Sequence, residues 1–293
     1  MDGNKQSEKP LRERTLWGFI IEDVGYGDIT SNALVTKDQK AHASLYFKES
    51  GVAAGLEEAA DIFKLLGCET LQHVRDGTKV EPGQKLLDVS GLARSLLLGE
   101  RVALNLVSHM SGIATTTQVA VNITRKMNPK IRVAATRKTL PGLRDFEKKA
   151  IELGGGDTHR LRLDDCVLIK DNHLELLPSI SEAVRLAKEG VSFTKKIEVE
   201  VRTLKQAEEA AHSGVDIIMF DNMKPQAIIE CLFSLDHSGL RKGLLFEASG
   251  GINLENIAEY ASTGVDIVSL GMLTHSARAI DVKFEIKMAG KLV

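Results

Sequence analysis

The sequence predicts an α/β protein in which a mixed α/β N-terminal domain feeds a parallel β/α barrel. Three observations predict it. Six short apolar, β-rich runs succeed one another in the second half, at 131–137, 166–172, 196–201, 215–221, 244–249 and 265–271. Amphipathic stretches rich in helix formers separate them, the pattern of a parallel sheet covered by helices on its outer face. The first hundred or so residues lack that rhythm. Six units in succession favour a barrel, although six strands also fit a doubly wound sheet.

Taken in order, 43–48 and 84–89 read as strands and 56–66 as a helix. Glu81-Pro82-Gly83 is a turn. The stretch 93–110 reads as a long helix with Leu97, Val102, Leu104 and Leu106 as apolar positions. Beyond it, 143–153, 180–189 and 203–212 are the intervening helices, the last reading TLKQAEEAAH. No repeat other than the β/α unit is visible.

Composition excludes several functions. Lys+Arg number 38 and Asp+Glu 40, so the balance is 38 − 40 = −2, which gives no basic field for nucleic acid or an anionic membrane. Aromatic residues at 4% leave no platform for base stacking. Cys68, Cys166 and Cys231 are odd in number and form no C-x-x-C pair, which fits a reducing compartment. The first fourteen residues are polar, with no apolar core of a leader, and no apolar run approaches the roughly 20 residues of a membrane span. A cytoplasmic location is expected.

In a β/α barrel the chemistry lies at the C-terminal ends of the strands. The first run ends in Thr136-Arg137-Lys138-Thr139 and the second in Lys170-Asp171-Asn172-His173. The third carries Glu198 and Glu200, which alternate with valines and share a face. The others end in Asp221-Asn222, Ser249-Gly250-Gly251 and Gly271-Met272, and Gly154-Gly155-Gly156-Asp157-Thr158-His159-Arg160 joins the first two. Residues 132–170 hold nine Lys+Arg and six Asp+Glu, a local excess of 9 − 6 = 3. Cations converging on one mouth predict a small polyanionic substrate, and the glycine ends predict a phosphate held by backbone N–H groups. Glu200 and Asp221 opposite them suit a Mg²⁺ arriving with a diphosphate, or ribose hydroxyls. Each feature alone has an ordinary explanation. An Arg-Lys pair after a strand is commonly a solvated turn, and Glu198 reads as a structural ion pair. The weight lies in six successive strand ends all bearing useful residues.

These residues carry a resemblance. Thr136-Arg137-Lys138-Thr139-Leu140-Pro141-Gly142-Leu143-Arg144, the triple glycine with His159-Arg160, and Leu168-Ile169-Lys170-Asp171-Asn172-His173 resemble quinolinate phosphoribosyltransferase (decarboxylating), the nicotinate-nucleotide pyrophosphorylase family. So do 22–30, Glu100-Arg101-Val102-Ala103-Leu104-Asn105, Ser111-Gly112-Ile113-Ala114-Thr115, Glu198-Val199-Glu200-Val201 and Glu247-Ala248-Ser249-Gly250-Gly251. The resemblance implies an N-terminal α/β domain over 1–107, joined by a C-terminal helix over 275–293, and an incomplete, about seven-stranded α/β barrel over 108–274. It also implies a homodimer with a shared active site, able to assemble further.

The implied reaction transfers phosphoribosyl from 5-phosphoribosyl-1-diphosphate to quinolinate. It yields nicotinate mononucleotide, CO₂ and diphosphate for NAD synthesis. By resemblance Arg137, His159, Arg160 and Lys170 pair with the quinolinate carboxylates, and Arg101 joins them across the dimer. Lys138 lies nearer the diphosphate. Glu200 and Asp221 bond ribose hydroxyls and help place Mg²⁺, while Ser249, Gly250, Gly251, Gly271 and His275 hold the 5-phosphate. Lys138, Lys170, Glu200 and Asp221 are the expected catalytic set, with Mg²⁺ and no organic cofactor. A silent sensor of pyridine carboxylates is the rival from another class. Two carboxylates facing an anionic ligand argue against it unless a sugar or metal is held as well.

Overall fold

The segment Lys-Ala-His-Ala-Ser-Leu-Tyr-Phe alternates small or apolar residues with polar ones, and in the computed structural model, which describes residues 5–289, it is a strand. The chain opens with α1 (Lys5–Val24) and α2 (Ile29–Leu34), followed by this strand, β1 (Lys40–Phe47). Ala41, Ala43, Leu45 and Phe47 all point into the core, as a period of two requires. Next come β2 (Gly51–Val52), α3 (Leu56–Leu65), β3 (Glu69–Gln72), β4 (Lys79–Val80), β5 (Lys85–Leu92) and the 35-residue α4 (Ala93–Met127). β1, β5 and β3 form one antiparallel sheet, and β2 pairs with β4. The long helix was expected to stop at Met110. It continues because 111–127 hold neither Pro nor a capping stop, only a small-residue stretch that helices tolerate.

The Ser111–Thr115 motif finds its explanation in this first unit. Ser111 Oγ accepts from Ala54 N at 3.0 Å and donates to Ala54 O at 3.1 Å, and Thr115 Oγ1 accepts from Val52 N at 2.8 Å. A Cβ on Gly112 would lie 2.1 Å from the Arg278 carbonyl oxygen, so only glycine lets that backbone cross the helix. These residues hold the backbone of this unit together.

The second unit begins at Thr116, within α4, and ends at Ser276, whereas the resemblance implied divisions after 107 and 274. It contains β6 (Arg132–Ala134), α5 (Arg144–Leu153), β7 (Val167–Ile169), α6 (Asp171–Leu174), α7 (Ile180–Gly190), β8 (Ile197–Val201) and α8 (Leu204–His212). It continues through β9 (Ile217–Asp221), α9 (Pro225–His237), β10 (Leu245–Ser249), α10 (Ile257–Ala261), β11 (Ile267–Ser269) and α11 (Met272–His275). Ser179 and Thr203 cap α7 and α8 by accepting backbone N–H bonds, and Pro225 occupies the first turn of α9.

The six strands run in parallel in the order β6-β11-β10-β9-β8-β7. Pairing of the first strand with the last curls the sheet into a barrel. The seventh strand that the resemblance implied is reduced to one residue. Asp157 bridges Ala134 in parallel, with Asp157 N donating to Val133 O at 2.8 Å and Ala135 N to Asp157 O at 2.9 Å. The described strands are not closed between Asp157 and β7, so the barrel is incomplete.

One expectation is overturned. Of the expected helix 275–293, the described residues 276–289 are not helical: after the short α11, residues Val282–Met288 form β12, antiparallel to β1 at the sheet edge. The physical reason is legible. Val282, Phe284, Ile286 and Met288 alternate with Lys283, Glu285 and Lys287, a period of two that suits a strand and not a helix. Phe284 stacks on Phe63 of α3 at 5.5 Å between ring centroids. Residues 290–293, within that expected helix, lie outside the described residues.

Candidate active site

Strand periodicity makes the barrel interior polar. In β8, β9 and β10 the odd-numbered apolar or even-numbered aromatic positions, such as Val199, Phe220 and Phe246, are buried against the helices. The alternate set turns inward: Glu200, Met219, Asp221, Glu247 and Ser249 all line one open depression of about 560 Å³. Arg137, Lys138, His159, Arg160 and Lys170 line its other side, with Gly250 and Gly251 at the rim. The sequence places these residues tens of positions apart, and the parallel topology brings them to one mouth.

The cationic wall is crowded. Burial pushes the Arg137 guanidinium down, and the neighbouring Arg160 and Arg144 charges push it further. Its Nε is buried with no hydrogen-bond partner among the described residues. Cations that repel one another around an unsatisfied donor are a receptor for an anion, and planar guanidinium groups suit carboxylates in particular.

The opposite wall is already neutralised in pairs. Lys170 Nζ donates to Glu200 Oε1 at 2.5 Å. Arg202 donates from Nε and Nη2 to Asp221 Oδ2 at 2.9 and 2.8 Å, and from Nη2 to Asp171 Oδ2 at 2.9 Å. Asn222 Nδ2 occupies the other Asp221 oxygen at 2.8 Å. Asn222 sits at φ 55°, a left-handed conformation rare outside glycine. A Cβ on Gly250, itself at φ +94°, would lie 2.8 Å from Asn222 N and 2.4 Å from its Oδ1. Gly250 is thus required by the close approach of two strand ends.

Beneath the depression lies a buried triad. His159 Nε2 is 3.2 Å from Glu247 Oε2 and 3.5 Å from Glu198 Oε2, and both glutamates are 0% exposed. Burial alone would lower the imidazole, but hydrogen bonds to Glu198 and Glu247 outweigh it and push the ring up to about 10. Burial pushes Glu198 up as well. The backbone N–H of Arg160 donates to His159 Nδ1 at 2.8 Å, so Nδ1 carries no proton and the ring proton sits on Nε2. The imidazole and the two glutamates therefore share one proton beyond the neutral ring's own, and the triad carries one net negative charge. The tautomer also argues against a metal. The three donor atoms lie within 4.8 Å of one another, but an Nε2 that bears a proton offers no lone pair.

This shared proton makes stability depend on pH. Above pH 6.5 the folded triad keeps one proton that the unfolded side chains have lost. Stability should fall as pH rises from 6.5 towards 8, by up to about 1 kcal/mol per pH unit. From about pH 8 buried Lys148 opposes that slope, because burial pushes its pKa down to about 8 and the unfolded chain then binds the extra proton. Urea unfolding across this range should show the fall, and a Glu198→Gln, Glu247→Gln double variant should lose it. A wild-type stability that is level or rising between these pH values contradicts the shared proton.

Two matches cover nearly the whole chain. Residues 28–111 match the N-terminal domain of quinolinate phosphoribosyl transferase, and residues 113–285 match its C-terminal domain. The chain belongs to the quinolinate phosphoribosyltransferase family. A protein of Methanothermobacter thermautotrophicus, named "Probable nicotinate-nucleotide pyrophosphorylase (carboxylating)", is 46% identical over 92% of this chain and 96% of its own. The human nicotinate-nucleotide pyrophosphorylase (carboxylating) is 38% identical over 89% of this chain and 86% of its own. Among solved structures, NadC from Streptococcus pyogenes is 36% identical and superposes with a TM-score of 0.89, covering 98% of this chain and 99% of that one.

Within this quinolinate phosphoribosyltransferase fold, ten of the residues singled out from the sequence line the depression: Arg137, Lys138, His159, Arg160, Lys170, Glu200, Asp221, Ser249, Gly250 and Gly251. Gly271 and His275 do not line it but stand beside Lys138. A Cβ on Gly271 would be 3.0 Å from Lys138 Cδ and 3.1 Å from His275 Nε2. Arg101 lies exposed on α4 in the first unit. Sequence reading missed Arg202 and the site role of Glu247. Arg202 immediately follows β8, a strand end, and Glu247 alternates with Ser249 on β10, so both signals were present. Glu198, read from the sequence as a structural ion pair, faces His159 Nε2 at 3.5 Å in the shared-proton triad. Among the described residues, no helix is long and apolar enough to cross a membrane.

Proposed function

We propose that this chain joins quinolinate to 5-phosphoribosyl-1-diphosphate in a step of NAD synthesis, giving nicotinate mononucleotide, CO₂ and diphosphate. The observation that carries the reading is one depression with a cation wall, including the unsatisfied Arg137 Nε, facing the carboxylates Glu200 and Asp221. Arg137, Arg160 and Lys170 receive the two carboxylates of quinolinate, and His159 completes that wall. Lys138 faces the diphosphate. Glu200 and Asp221 take the ribose hydroxyls, and Ser249, Gly250 and Gly251 take the 5-phosphate, with Gly271 and His275 close by.

The pyridine nitrogen bonds to the ribose anomeric carbon as the bond from that carbon to diphosphate breaks, and the electron pair leaves with diphosphate. Lys138 and Lys170 stabilise the departing charge. The ring nitrogen is then cationic. The bond to the adjacent carboxylate breaks, CO₂ leaves, the pair stays on ring carbon 2, and that carbon takes a proton. The cation next to it stabilises the pair, so no organic cofactor is needed. Mg²⁺ fits the donor chemistry, since one or two carboxylates plus substrate phosphates are its usual ligands. Glu200 and Asp221 would hold it, and it would draw charge from the diphosphate. Each would exchange its present partner, Lys170 or Arg202, to do so. The working unit is a homodimer, with Arg101 delivered across it, which can assemble further in the cytoplasm.

Glu200→Gln is expected to raise KM for 5-phosphoribosyl-1-diphosphate by roughly tenfold while changing quinolinate affinity by less than about threefold. Steady-state kinetics and quinolinate calorimetry check it. A fall in quinolinate affinity with unchanged diphosphate-substrate kinetics would reverse the role given to this carboxylate. The function itself is tested by supplying quinolinate or nicotinate with 5-phosphoribosyl-1-diphosphate and Mg²⁺. Nicotinate mononucleotide should form from quinolinate and not from nicotinate. Failure with quinolinate refutes the reading and leaves the silent sensor.

A further inference from the structure

Helix α5 carries a lysine in an unusual place. Lys148 is 1% exposed, and its Nζ donates to the carbonyl of Thr158 and, at 3.5 Å, to that of Arg160. The residue between those carbonyls is His159, which sits at φ 52°. A non-glycine residue in the left-handed region persists only where its surroundings over-determine it. Here Asp157 Oδ1 accepts His159 N–H at 2.8 Å, the Arg160 N–H closes onto Nδ1, and Lys148 ties down the carbonyl on each side.

The same helix holds the other cationic loop. Arg144 Nε donates to Thr139 Oγ1 at 3.0 Å, and Glu147 Oε2 accepts the Leu140 N–H at 3.3 Å. One face of α5 thus grips both the loop bearing Arg137 and Lys138 and the loop bearing His159 and Arg160. Burying an ammonium is unfavourable in itself. Asp157, Asp165 and Glu147 help Lys148 and Arg144 opposes it, yet burial outweighs them and pushes the group down to about 8. Packing alone would be served better by methionine, which has similar length and no charge to desolvate.

We propose that Lys148 is a positioning residue for acid recognition: it sets the His159–Arg160 segment, with His159 anchored on Glu247 and Glu198, so that Arg160 meets the substrate carboxylates. It reaches the substrate only through that loop. The proposal rests on the assignment of quinolinate to this depression, and the two can fail separately. If the wild-type protein does not turn over quinolinate, the assignment fails. If it does, the Lys148 variants decide the rest.

The experiment compares Lys148→Met and Lys148→Arg in the full chain, with thermal unfolding to confirm the fold. In Lys148→Met, KM for quinolinate should rise about tenfold or more, while KM for 5-phosphoribosyl-1-diphosphate stays within about twofold. Lys148→Arg keeps charge and donors and should recover most of the quinolinate KM. A purely structural lysine would lower stability without separating the two KM values. Unchanged quinolinate KM in a folded Lys148→Met, or equal rises in both KM values, overturns the proposal. So does a failure of both variants to fold, which would make Lys148 a core residue and nothing more.

Discussion

Lys138→Ala and Lys170→Ala should each lose about 100-fold or more in turnover and keep the wild-type fold. Both side chains stand at strand ends on the rim of the depression, outside the apolar core, and Lys170 is 40% exposed. Removing either should change stability by no more than about 1 kcal/mol. The effect on rate is larger because a cation near the diphosphate matters most when charge develops on it. Lys170→Ala has a second consequence, since it leaves Glu200, whose side chain is 12% exposed, without its ammonium partner. Product formation at saturating substrates, together with thermal unfolding, checks both. Near wild-type kinetics in either variant removes that lysine from the site.

Mixing two inactive variants should restore activity. Arg101 lies on α4, ahead of the barrel, while Lys170 lies in the depression. If Arg101 serves the second copy's depression, an Arg101→Ala, Lys170→Ala hybrid dimer has one site with both defects and one with neither. Random exchange makes half the dimers hybrid, each with half its sites intact, so roughly a quarter of wild-type activity should return. If Arg101 acted within its own chain, every hybrid site would keep one defect. No recovery, with hybrids confirmed by native mass spectrometry, rules out a shared site.

Most of the catalytic unit was legible because parallel strands announce themselves twice, in apolar runs and in the functional loops at their ends. The six runs were read longer than the strands they contain. β6, β7 and β11 have three residues each, and the rest of each run is the loop that carries Arg137, Lys170 or Gly271. The remaining strand was invisible because Asp157 makes one bridge and no apolar run. β12 is legible in the alternation of Val282, Phe284, Ile286 and Met288, whereas the helix expected over 275–293 rested on the resemblance alone. Arg202 escaped notice because a charged residue after a strand is ordinarily solvated, and only the fold shows it holding Asp221 and Asp171 together. Lys148 was hidden for a simpler reason. In a helix reading Arg-Asp-Phe-Glu-Lys-Lys, the sequence does not reveal which lysine turns inward.

The central claim is that nucleotide formation and loss of CO₂ are coupled at this one depression. The most direct test uses quinolinate labelled in the 2-carboxylate, with 5-phosphoribosyl-1-diphosphate and Mg²⁺, counting labelled CO₂ against nicotinate mononucleotide. One CO₂ per nucleotide is predicted for the wild type, none without the diphosphate substrate, and neither product at a comparable rate from Lys170→Ala. Labelled CO₂ released without nucleotide, or nucleotide formed unabated by Lys170→Ala, would contradict the account.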